Sequence, residues 1–133
     1  MEKLIFDAPY AKVYFLEDKE IGKIVWTGAP NSEEYKVPFV KLIELAGTEA
    51  IVTRFLSDIR NQGIVSPESR KWFEKDMLPQ AINGGLKRAA VISSGNVFKT
   101  YYINLILGAV NKFNLPFKIF NDEEKAMDYL MKE

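Results

Sequence analysis

A chain of 133 residues with 47% hydrophobic and 27% charged side chains has the size and composition of one globular domain and lies far from the composition of a disordered segment. Its 18 lysines and arginines balance 18 aspartates and glutamates, so no net field gathers nucleic acid or an anionic membrane surface, while near-zero charge eases association into a homodimer. Without cysteine or histidine, disulfides, thiolate nucleophiles, Ser-His-Asp triads and ordinary zinc sites are excluded.

Ala11 to Leu16 and Ile21 to Trp26 flank the polar stretch Glu17-Asp18-Lys19-Glu20, which predicts two strands in an antiparallel hairpin. Ser32 with Glu33 and Glu34 signals a helix start, and Phe39, Leu42, Ile43 and Ala46 repeat at helical spacing until Gly47. Pro38 either kinks this helix or marks a later first turn. Ala50 to Leu56 is β-branched and aromatic enough for an interior strand, with Ser57-Asp58 at its carboxyl edge.

A loop, Ile59 to Val65, then leads to Ser66-Pro67-Glu68, where an N-cap serine, a first-turn proline and an acid open a helix containing Trp72, Phe73 and Met77. Gly84-Gly85 turn the chain into a strand at Arg88 to Ile92, so they are no phosphate-cradling loop, which would precede a helix. Ser93-Ser94-Gly95-Asn96 leads to a helix with Phe98, Tyr102, Leu105 and Ala109 on one face. After Pro116, Phe117 to Phe120 makes a short strand, and Asn121-Asp122-Glu123-Glu124 caps a last helix that buries Ala126, Tyr129 and Leu130.

This order predicts a single α/β domain over residues 1–133, with a mixed β-sheet in which an N-terminal antiparallel hairpin is followed by alternating helices and parallel strands. Such sheets place ligands at strand carboxyl ends, here Ser57-Asp58 with its loop, Ser93 to Asn96, and Asn121-Asp122. No apolar run approaches the roughly 20 residues a bilayer span needs. No secretory leader pattern opens the chain, and cytoplasmic residence is the expectation.

Several segments, in this order, carry a family resemblance: Val25-Trp26-Thr27-Gly28, Ser57-Asp58-Ile59-Arg60-Asn61-Gln62-Gly63, Ser66-Pro67-Glu68 with Trp72-Phe73, Leu78-Pro79, Gly85 to Ala90 and Phe120 to Ala126. The chain resembles the STAS-like superfamily, specifically the small bacterial sporulation anti-anti-sigma-like or STAS/SEC14 domain proteins. The resemblance implies a non-enzymatic domain that recognises a partner protein or a small apolar ligand. Relatives of the antagonist type are switched by phosphorylation of a serine that follows an aspartate. Here the order is reversed, Ser57-Asp58, and the next helix opens only at Ser66, so Ser57 and Ser66 are the candidate phosphosites.

Asp58, Arg60 and Asn61 form the densest polar group at a strand end and supply an acid, a cation and an amide. They also fit a self-capped turn with Arg60 paired to Asp58. Trp72 fits either the core or an interface anchor, and Tyr101 points away from Leu105 and Ala109 toward a rim. The leading expectation is a domain presenting Asp58 to Ser66 and the following helix to a protein partner. The alternatives are a carrier or sensor of a small apolar or lipid-like ligand walled by Phe98, Tyr101 and Tyr102, and an enzyme using Asp58 and Arg60. No metal and no cofactor are expected, since no Asp-x-Asp-x-Asp-Gly loop is present.

Overall fold

The computed structural model describes residues 2–48, 50–94, 104, 107, 108 and 110–132. Strand β1 (Glu2–Ala8) pairs antiparallel with β2 (Ala11–Leu16), which pairs antiparallel with β3 (Ile21–Trp26) in the predicted hairpin. Parallel strands β4 (Arg54–Asp58), β5 (Arg88–Ile92) and β6 (Phe117–Phe120) complete a six-stranded sheet in strictly sequential order, β1 to β6. The predicted mixed α/β architecture is therefore present.

Two strand boundaries differ from the sequence expectation, each for a reason of pairing. Strand β1 was not expected, because Glu2, Lys3 and Asp7 obscure its alternation; as an outer strand it is paired on one side only and can expose those charges. Strand β4 begins at Arg54 rather than Ala50. Arg54 stands opposite Ile21, the first residue of β3, so residues 50–53 have no strand beside them. The amides of Thr53 and Arg54 donate instead to the Glu20 carbonyl, at 3.0 and 3.1 Å, while the Thr53 hydroxyl donates to the Glu20 carboxylate at 2.8 Å. These bonds hold Glu20 at φ 57, a left-handed conformation rare outside glycine.

Helix α1 (Ser32–Ala46) is capped one residue earlier than Ser32. The Glu34 amide donates to Asn31 Oδ1 at 2.8 Å and the Asn31 amide donates to Glu34 Oε1 at 3.0 Å, a reciprocal capping box. Pro38 lies inside this helix and does not mark its first turn; its ring is fully buried. The predicted second helix is a longer run in three parts: α2 (Pro67–Trp72), a π turn (Phe73–Met77) and α3 (Leu78–Asn83). The π turn precedes Pro79, whose ring and missing N–H disfavour regular helical bonding back to Lys75. Gly84 caps α3, and Gly85 turns the chain at φ 115 into β5. Helix α4 (Glu123–Leu130) is capped by Asp122, which accepts from the Lys125 amide at 2.8 Å.

Alternate residues of the central strands feed two cores. Phe55, Ala89 and Val91 face the layer of Tyr35, Phe39, Phe73 and Leu78, whereas Leu56, Ala90 and Ile92 face Ala126 and Leu130 of α4. Tyr129 is only half-buried and rests against Phe120, at a ring separation of 5.5 Å. Lys23 is buried with its charge paired: it donates to Glu2 at 2.7 Å and pairs with Glu123 at 2.8 Å, joining β1, β3 and the start of α4. Among the described residues, no helix is long and apolar enough to cross a membrane.

Candidate functional site

The carboxyl ends of β3 and β4 bring Trp26 and Asp58 beside the connection 59–66, which leaves the sheet edge and returns to open α2. Because the strand order never reverses, this edge has no switch-point crevice of the kind that houses ligands in doubly wound sheets. What it offers is a raised, pinned loop.

Asp58 fixes the beginning of that loop. Its Oδ1 accepts from the Arg60 amide at 3.1 Å and from Nε at 3.0 Å, and its Oδ2 accepts from Nη2 at 2.8 Å. Hydrogen bonding to Asp58 raises the Arg60 pKa above its ordinary value against the opposing effect of burial, and the carboxylates of Asp58, Glu123 and Asp122 add attraction. Both Asp58 oxygens are thus occupied by the same arginine, which is the self-paired turn and not a poised acid. The aspartate is buried, while Arg60 and Asn61 face solvent.

The remainder of the loop is anchored at Gln62, Gly63 and Val65. The Gln62 amide donates to the Ile59 carbonyl at 3.1 Å, and the Gln62 side chain turns inward, its Nε2 buried without a hydrogen-bonding partner among the described residues. The Gly63 amide donates to the Gly28 carbonyl at 3.0 Å; a Cβ at Gly63 would stand 2.9 Å from Ala29 Cα, so only glycine permits this approach. Val65 is buried, and between them Ile64 is 80% exposed. Sequence reasoning missed Ile64, although an apolar residue between Gly63 and Ser66-Pro67 is a readable anomaly in a loop.

Ser66 is the expected N-cap of α2: its Oγ accepts from the Ser69 amide at 3.1 Å and lies 3.2 Å from Ser32 Oγ, which donates to Glu68 at 3.1 Å. These hydroxyls tie the starts of α1 and α2 together. Ser57 is buried in the sheet and accepts from the Trp26 indole at 3.2 Å. Trp72 is half-buried in the outer aromatic layer, 5.7 Å from Phe39 and edge-on to Tyr35 at 6.2 Å, with Lys36 Nζ 5.9 Å above its ring. Asp58 and Arg60 are therefore joined directly, Asn61 follows them exposed on the same loop, and Ser66 closes that loop. Ser57 and Trp72 sit in the packing. Phe98, Tyr101 and Tyr102, proposed as the wall of a ligand cavity, lie outside the described residues.

Within the core, the void between Trp26, Phe39, Phe73 and Val91 measures about 30 Å³, room for about one water. A larger apolar cleft of about 230 Å³ lies at the opposite end of the sheet, between α1 and α3.

No protein-family model and no curated protein matches the chain. Among solved structures, it is similar to an uncharacterized protein from the DUF3478 family with a SpoIIAA-like fold, from Shewanella loihica PV-4. Identity is 22%, coverage is 98% of this chain and 92% of that one, and the TM-score is 0.54. It is also similar to the anti-sigma factor antagonist SpoIIAA in its unphosphorylated form, at 12% identity over 100% of both chains with a TM-score of 0.59. The six-stranded sheet of this protein, with its antiparallel N-terminal strands and parallel remainder, has the STAS-like, SpoIIAA-like fold.

Proposed function

We propose that this chain is a cytoplasmic regulatory domain, without catalytic activity of its own, that recognises a protein partner through residues 58–66. Ile64 is its apolar contact, and Arg60 and Asn61 are its polar rim. The observation that carries the reading is an isoleucine 80% exposed on a loop whose neighbours are fixed by the Asp58–Arg60 pair, the Gly63–Gly28 bond and buried Val65. A loop already held in shape loses little entropy on binding, and an apolar side chain exposed on it, with the solvent-facing Arg60 and Asn61 on the same loop, suits an interface anchor. The likeness to an anti-sigma factor antagonist, a protein that acts on another protein, supports the same class of function. Of the two candidate phosphosites, Ser66 is the more accessible, and Glu68 beside it disfavours a phosphate there.

The test is quantitative affinity capture with the wild-type chain and with Ile64→Asp. A partner depleted about tenfold or more by Ile64→Asp, at unchanged thermal stability, supports the reading. An identical set of captured proteins counts against it.

A further inference from the structure

Arg54 and Arg88 are the first residues of β4 and β5 and stand opposite one another in the parallel register, at the end of the sheet away from the loop proposed to meet a protein partner. Neighbouring strands lie about 4.8 Å apart, so two cationic side chains start from adjacent positions. Both reach the carboxyl end of α4. Arg54 donates from Nε to the Leu130 carbonyl and from Nη1 to the Lys19 carbonyl, each at 2.7 Å. Arg88 donates from Nη1 to the Tyr129 carbonyl at 2.7 Å, and its guanidinium lies 4.9 Å from the centre of the Tyr129 ring.

These bonds hold the two groups in place without neutralising them. Among the described residues, neither arginine has an ion-paired carboxylate. Of the acids in the turn before β3, Glu17 and Asp18 are exposed, and the Glu20 carboxylate accepts from the Thr53 hydroxyl. The carboxyl end of α4 supplies about half a negative charge against two full positive ones, and like charges at facing strand positions repel. Both arginines are partly buried, where salt screens charge less than at an open surface. The bonds to carbonyls consume two N–H groups of Arg54 and one of Arg88, and a guanidinium has more to offer a further acceptor.

We propose that Arg54 and Arg88 together bind a phosphate group, either free in solution or carried by a small phosphomonoester. A dianionic phosphate matches the residual positive charge better than a carboxylate does, and its terminal oxygens accept from both planar forks together. This site goes beyond the partner-binding reading and lies at the opposite end of the sheet from residues 58–66, so each stands or falls alone.

The probes are inorganic phosphate, glycerol 3-phosphate and acetate, titrated at about pH 7.5 and matched ionic strength into the isotope-labelled chain. Side-chain carbon resonances of Arg54 and Arg88 are expected to shift saturably with phosphate, and acetate is expected to bind about tenfold more weakly. Glycerol 3-phosphate binding at least as tightly as phosphate assigns the site to a phosphomonoester; binding of inorganic phosphate alone assigns it to the free ion. Arg54→Gln and Arg88→Gln, each checked for folding by circular dichroism, are expected to weaken phosphate binding about tenfold. If neither variant folds, the ranking of phosphate over acetate on the wild-type chain decides. Absence of saturable shifts at millimolar phosphate, shifts confined to other residues, acetate binding as tightly as phosphate, or full phosphate affinity in a folded variant would overturn the proposal.

Discussion

The indole N–H of Trp26 donates to the Ser57 hydroxyl at 3.2 Å, beneath a Tyr35 ring stacked on the indole at 5.2 Å. The only strongly polar atom of a large buried ring is thereby satisfied by a serine on the neighbouring strand. Ser57→Ala leaves that N–H unpaired and is expected to cost about 2 kcal/mol in urea unfolding. The same burial predicts that a kinase active on exposed serines leaves Ser57 unlabelled in the folded chain, which phosphopeptide mapping reads directly.

Ser66 carries two duties, the cap of α2 and the hydroxyl contact to Ser32. Ser66→Ala is therefore expected to cost about 1–2 kcal/mol, and Ser32→Ala, which removes no cap, about 0.5 kcal/mol. A double-mutant cycle checks the shared contact: the double variant should lose less than the sum of the singles.

Lys23 is buried, yet its hydrogen bonds and attraction to Glu123 and Glu2 outweigh the opposing effect of burial and raise its pKa above 10.5. A raised folded-state value means that the stabilisation is fully present below pH 10.5 and fades as pH climbs through the folded pKa. Both glutamates are half-exposed, so solvent screening limits the contribution to about 1 kcal/mol. Comparing wild type with Lys23→Met by urea unfolding should give that difference at about pH 8 and a smaller one above the lysine range. A difference that grows with pH would contradict this account.

Much of the fold was legible where local chemistry and pairing agree. Strands β5 and β6 fall at their predicted bounds, because Gly84-Gly85 and Pro116 leave the chain no other place to begin pairing. Residues 50–53 are more β-branched than β4 itself, and they are excluded because the strands on both sides, β3 and β5, begin opposite Arg54. The true cap of α1 was readable from Asn31 and Glu34, three residues apart; Ser32 has Tyr35 at that spacing and cannot complete the box. At the candidate site, the Asp58–Arg60 pairing is local and was anticipated. The docking of Gly63 on Gly28, which lifts Ile64 outward, joins distant segments that sequence periodicity does not connect. The cleft between α1 and α3 escaped notice for the same reason, since it arises only when two helix ends meet over the sheet.

The central claim, that the loop after β4 is the recognition surface, is tested most directly by placing a photo-crosslinking amino acid at Ile64 in living cells, with Val40, 41% exposed on α1, as the control position. The account predicts a discrete covalent adduct with one protein from position 64 and none of the same mass from position 40. Identical adducts from both positions, or none from position 64 at native expression, would contradict it.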